Sequence, residues 1–432
     1  MSMTLQTTYT LAAMVATFVI SSWKSRSPEI SMVITAVVGA LVAGFGFPVR
    51  LLVEGTLTYI DLALQFITAS LFMNFYAEIG ATNALVRNLV ARFYDNKWLM
   101  LFLLAFVMLI PGAITGAGSV SILVVGGLVA TVLEFMGFPP ARRAAFVFIM
   151  AILSAAAPPI NLWAMLMAAG ANMPYVGFNT ILLLPVLAVA IFSVFYFGRG
   201  TKPKPKAEVL AGLPSAARGM TWWRLALPFA LLLLLILLSQ YAAHSIPVIG
   251  LPLTFLLCAV LVMLLDPERR GLKRWYDVTI QTMESVFPLV ATLVSVGVLV
   301  SMMALTGVRG LIAINFVTLP IVWIYVTALL FCPIAQGSLS YGSAAILGVP
   351  IIFRFNSVGI NVTVVTAALA LMFPLGDCVP PSRIVARLSI EKVGFKGSYM
   401  EFIRAIAVPW CVLAIVALTM LIFPRVFVPL TM

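Results

Sequence analysis

The chain has 432 residues, 63% hydrophobic and only 9% charged, with a formal net charge of +12 at pH 7 and a mean hydropathy of +1.14. A soluble domain carries roughly 25% charged residues, so the composition excludes an ordinary soluble fold and defines a polytopic membrane protein. Basic cytoplasmic loops account for the positive charge, and a nucleic-acid partner is not needed to explain it.

In chain order, the apolar run Leu11 to Ile20 precedes the first charge, Lys24. A cleavable signal peptide carries positive charge ahead of its apolar core, so residues 7–23 read as a first transmembrane helix. Further segments near the roughly 20 residues needed for a crossing are 31–48, 57–79, 144–172, 175–198, 224–243, 247–265, 278–305, 361–389 and 401–424. Two stretches differ. Residues 98–136 and 311–353 are interrupted midway by PGAITGAGSVS (111–121) and PIAQGSLSYGS (333–343). Each reads as a re-entrant hairpin of two half-length helices meeting at a tip of small residues.

The basic residues support this layout. With the N-terminus outside, 21 of the 26 Lys and Arg residues fall on the cytoplasmic side, Arg50, Arg309, Arg354 and Arg425 fall outside, and Arg383 lies within a span. Treating either interrupted stretch as an ordinary crossing destroys the asymmetry. The four cysteines, Cys258, Cys332, Cys378 and Cys411, show no metal-ligand spacing and read as buried thiols. His244, the only histidine, falls in a short loop, which argues against a histidine metal site or catalytic triad.

The chain also repeats itself. Pro111 and Pro333 stand 222 residues apart, as do Pro158-Pro159 and Pro380-Pro381, and Arg87 meets Arg309 at the same offset. Each half holds three crossings and a hairpin, and an odd number of crossings inverts the second copy. The expected domains are N-terminal scaffold helices (1–56), a first repeat (57–198), a basic linker with two connecting helices (199–277) and an inverted second repeat (278–425). Interrupted helices at matching places in two inverted halves are the signature of a secondary transporter.

A double proline removes backbone donors and breaks a helix, and a broken span survives in a membrane only around an enclosed or wet cavity. The two breaks and two tips therefore bring free backbone groups together near half depth. Carbonyls ending one half-helix suit a cation, and amides starting the next suit an anion. Asp377 and Arg383 sharpen the second site, since Ala155 and Asn161 take their places in the first half. The expected substrate set is Arg383, Ser382, Asn161, Gly116, Gly118, Ser119, Gly337 and Ser338, with Arg383 on a substrate carboxylate. The expected coupling-ion set, for sodium, is Asp377, Gly376, Pro158, Pro380, Thr115 and Ser154. The structural alternative is that Asp377 and Arg383 neutralise each other across the break, and that the tip residues serve close helix packing. Glu78 and Glu284 are expected to pair with neighbouring basic residues or to cap helices.

At these motifs the chain resembles the large membrane subunit of TRAP transporters (tripartite ATP-independent periplasmic transporters, DctM-like). The resemblance rests on LFMNFYAEIGATNALVRNLV (71–90), on GAITGAGSVSILVVGG followed by FPPARRAAF, and on the two Pro-Pro breaks, and it covers most of 30–425. Departures are Ile160 after the first proline pair, Val379 before the second, and SRIV at 382–385. The resemblance implies an elevator-type carrier in a bacterial inner membrane, driven by sodium and carrying a small organic acid such as a C4-dicarboxylate. It also implies a small four-helix membrane subunit and a periplasmic substrate-binding protein as partners. Alternatives are a self-sufficient carboxylate carrier without a binding protein, and a membrane-embedded enzyme. The enzyme reading lacks an HExxH, a metal cluster and a nucleophile–base pair.

Overall fold

The structure is a computed structural model that describes residues 3–25, 27–215, 219–241 and 250–431. Arg26, Arg218, His244 and the start of the expected 247–265 span lie outside the described residues. Within them the chain forms helices and no strands, so it has the expected all-α polytopic architecture. Seven of these helices are long and apolar enough to cross a membrane, and several shorter apolar helices accompany them.

The N-terminal part comprises α1 (Met3–Ser25), α2 (Pro28–Val42) and α3 (Val49–Leu57). Ser27 starts α2 by accepting a hydrogen bond from the Ile30 amide, with Pro28 in the first position, where its missing N–H costs nothing. The expected span 57–79 is α4 (Ile60–Glu78), separated from α3 by a turn at Thr58 and Tyr59.

The first half continues with α5 (Ala81–Phe93) and the hairpin α6 (Lys97–Thr115) and α7 (Gly118–Phe135). Next come the broken pair α8 (Pro140–Ala156) and α9 (Leu162–Gly170), and then α10 (Phe178–Gly198). A short α11 (Lys206–Gly212), α12 (Trp222–Tyr241) and α13 (Leu251–Leu264) connect the halves. The second half repeats the order as α14 (Leu272–Leu305), α15 (Val308–Thr318) and a hairpin of α16 (Ile321–Leu339) and α17 (Ala344–Ser357). The second broken pair, α18 (Val362–Met372) and α19 (Ile384–Val393), and finally α20 (Tyr399–Ile422), complete it.

The first hairpin keeps its expected limits, but its legs have 19 and 18 residues and are long enough to cross a membrane rather than half-length. The second does not keep its limits: residues 311–318 belong to the separate helix α15, the partner of α5, and the hairpin runs from Ile321 to Ser357. Their apolar composition made them look continuous with it. A π-helical turn interrupts each hairpin at the repeat offset, at Ile122–Gly126 and Ala344–Gly348.

The halves are inverted. Helix α14 has 34 residues, about 51 Å at 1.5 Å per residue, so its ends mark opposite faces. At its start, Arg274 grips Glu78 at 2.7 Å and 3.0 Å, and Glu78, Arg270 and Ser215 border one cleft. Arg87 on α5 belongs to that face, donating to the carbonyls of Leu210 (2.9 Å) and Leu213 (3.2 Å). Its repeat partner Arg309 follows the far end of α14 and donates to the Gly170 carbonyl. The basic loops assigned to the cytoplasm gather on the first face: Lys97 reaches the Thr201 carbonyl at 2.8 Å, and Lys206 meets Asp95 at 3.2 Å.

The two broken pairs form the core. Every residue from Arg143 to Ala156 is buried, as is every residue from Val364 to Cys378. A helix apolar on all sides is one enclosed on all sides.

Candidate functional site

The first break is closed on itself. The Ile160 amide donates to the Ala113 carbonyl at 3.1 Å, fixing the hairpin against the break. The Gly112 amide donates to Ser121 Oγ at 2.8 Å, Ser121 and Ser154 share a bond at 2.9 Å, and Ser154 Oγ donates to the Ala151 carbonyl at 2.6 Å. Thr115 Oγ1 donates to the Pro111 carbonyl at 2.8 Å. Asn161 caps α9: its Oδ1 accepts from the Ala164 amide and its Nδ2 donates to the Ala156 carbonyl, both at 2.9 Å. A Cβ on Gly118 would stand 2.6 Å from the Ala151 carbonyl oxygen, so this glycine serves close approach.

The second break has the same frame and different contents. The Ser382 amide donates to the Gly337 carbonyl at 3.1 Å, and a Cβ on Gly376 would meet the Pro333 carbonyl oxygen at 2.1 Å. At the position of Asn161 stands Arg383. It is the N-cap of α19, sits at φ 45°, and makes no side-chain cap. A non-glycine residue in the left-handed region is strained, and such outliers gather at functional sites. Its guanidinium lies 4.7 Å from the centre of the Tyr399 ring, and its buried Nε has no hydrogen-bond partner. The first amides of α19 are therefore uncapped beside an arginine, an arrangement that attracts anions.

Asp377 does not neutralise Arg383: no ion pair joins them among the described residues. Asp377 Oδ1 instead accepts from Gln336 Nε2 at 2.9 Å. Gln336 Oε1 accepts from Trp163 Nε1 at 2.9 Å and from Ser343 Oγ at 2.8 Å. Since the indole N–H is a donor only, it fixes the amide with its NH2 toward Asp377. Trp163 also stacks on Tyr341 at 4.8 Å, and Tyr341 donates to the Gly116 carbonyl at 3.4 Å. The two breaks and the two tips are thus joined by one buried bridge.

A cavity of about 980 Å³ opens beside the second break. Ser338, Ser340, Pro380, Ser382, Arg383 and Arg387 line one wall, and α1 and the start of α2 line the other. The cavity lies toward the end of α1 that carries Lys24. Of the expected substrate residues, Arg383, Ser382 and Ser338 reach it, and Gly337 packs directly behind against Val379 and Pro380. Gly116, Gly118, Ser119 and Asn161 do not line it and belong to the closed first break. The expected ion set divides likewise: Asp377 and Gly376 lie buried behind Pro380, while Thr115, Ser154 and Pro158 stand in the first half. Glu78 pairs with Arg274 and Arg270 as expected, whereas Glu284 is exposed and forms no ion pair among the described residues.

Sequence reading missed Gln336, Trp163 and Tyr341. A glutamine inside an apolar segment was the available signal, because a polar amide at membrane depth requires a partner.

No protein-family model and no curated protein matches the chain. Solved structures do. The YdaH transporter of Alcanivorax borkumensis has a TM-score of 0.63 at 14% identity, covering 88% of each chain. MtrF of Neisseria gonorrhoeae, described among a class of antimetabolite efflux pumps, has a TM-score of 0.62 at 13% identity, covering 91% of this chain and 94% of that one. At such identities the likeness is one of fold. The chain is a multi-pass membrane protein by its apolar helices, and it shares its fold with these two proteins. The expected assignment to the TRAP large subunits gains no support from these matches.

Proposed function

We propose that the protein is a cation-coupled secondary transporter of a small organic acid, with Arg383 holding a substrate carboxylate at the second break. The observation carrying this reading is the contrast at the N-caps: Asn161 closes α9 with its own side chain, whereas Arg383 leaves α19 open toward a cavity. Sodium is the proposed coupling ion, at the level of Asp377 and Gly376. The proposed motion is an elevator, in which hairpins and broken helices move against a scaffold of α1–α4 and α14. The proposed location is a bacterial cytoplasmic membrane.

A self-sufficient carrier is favoured over a TRAP large subunit with a four-helix partner and a periplasmic binding protein. The reason is that the YdaH and MtrF likenesses lend the TRAP assignment no support, and these two proteins are described as a transporter and among efflux pumps. Export is the second reading for direction, because MtrF is described among efflux pumps.

The test is flux of labelled succinate and aspartate in proteoliposomes, read in both directions, with sodium or potassium gradients. Arg383→Ala is expected to lower flux at least about tenfold, the loss of one charge-assisted hydrogen bond, with membrane insertion intact. Unchanged kinetics remove Arg383 from the site, and equal rates in potassium alone discard sodium.

A further inference from the structure

We infer that the cavity beside the second break takes an acidic amino acid, a ligand with two carboxylates and one ammonium group. The inference rests on the carboxylate reading above and extends it to the whole charge pattern of the ligand.

The walls of the cavity carry three formal charges. Arg383 and Arg387 stand four residues apart on one side, and Glu29 at the start of α2 stands on the other. None of the three is ion-paired among the described residues. The Arg387 amide donates to the Arg383 carbonyl at 2.8 Å, and both residues line this one cavity. Each guanidinium matches the planar geometry of a carboxylate.

Glu29 is held for a purpose other than an internal salt bridge. Its Oε1 accepts from Thr292 Oγ1 and its Oε2 from Ser27 Oγ, each at 2.9 Å. Both donors are neutral hydroxyls. They orient the carboxylate without cancelling its charge, and each oxygen keeps a free lone pair. Thr292 belongs to α14, so the position of Glu29 is fixed from two helices.

Two positive charges and one negative charge are the mirror image of an amino dicarboxylate. A plain dicarboxylate satisfies the arginines and leaves Glu29 facing a filled, partly dehydrated space without a cation. A neutral amino acid leaves one arginine unmatched. A site built to hydrogen-bond an amino group discriminates against the analogue lacking it. The hydroxyls of Ser340 and Ser382, on the arginine side, add donors for carboxylate oxygens.

The experiment compares L-aspartate with succinate, which has the same carbon skeleton without the amino group, by calorimetric titration of the purified full-length protein. Aspartate is expected to bind about tenfold or more tightly than succinate. Glu29→Gln is expected to erase that preference by weakening aspartate while leaving succinate unchanged or tighter. Thr292→Val, which releases one oxygen of Glu29, is expected to shrink the preference in the same direction and serves if Glu29→Gln does not fold. Equal affinity for the two ligands, or a preference that survives both substitutions, overturns the amino-acid inference and leaves the carboxylate reading standing. Failure of the folded wild-type protein to bind either ligand overturns both.

Discussion

The two breaks are built from one plan and hold opposite contents. In the first, serine, threonine and asparagine side chains bond to each other and to nearby carbonyls, and they line no part of the cavity. In the second, the cap is an arginine in a left-handed conformation, the carboxylate of Asp377 accepts from a single amide, and a cavity adjoins. Duplication supplies two sets of interrupted helices, and only one set keeps its bonding capacity open. The first is closed by its own side chains, and the second adjoins a cavity.

That contrast can be broken by substitution. The largest effect is expected at Gly376, where an added methyl group meets the Pro333 backbone, which has no side chain to rotate away. Gly376→Ala should destabilise the protein by about 3 kcal/mol, the upper end for overpacking, read as a fall in melting temperature or loss of monodisperse protein. An intermediate effect is expected from Trp163→Phe. It keeps the ring against Tyr341 and removes the donor to Gln336, leaving Oε1 with Ser343 alone, at a cost of about 1–3 kcal/mol. A thermal melt unchanged from wild type would mean that the bridge does not join the halves energetically.

The smallest and most informative change is Arg383→Asn, which installs the first half's cap in the second. Asparagine tolerates the left-handed backbone that strains arginine, so stability should rise by about 1 kcal/mol while carboxylate binding weakens at least about tenfold. Stabilisation with binding retained would dissolve the distinction between the two breaks.

The registered prolines and the mirrored arginines made the repeat legible, because few residues in apolar sequence have so fixed a backbone effect. The first hairpin was legible from its interruption by PGAITGAGSVS, and the second was misjudged at 311–318, since an apolar helix and a hairpin leg share a composition. In the candidate site, Arg383 stood out because a charge at membrane depth is costly. Ser154 and Thr115, expected for the ion, and Gly118, expected for the substrate, have the chemistry of ligation and of close packing alike, and in the structure they bond or pack within the first break. Trp163 was invisible because its polar atom is one N–H on an apolar ring, and the Gln336 it holds lies 173 residues away.

The bridge from indole through amide to carboxylate has a consequence for how selectivity can change. Trp163 does not line the cavity, yet it dictates which atom Gln336 offers to Asp377. A change at the second break can therefore originate in the other copy of the fold, 173 residues away in the chain.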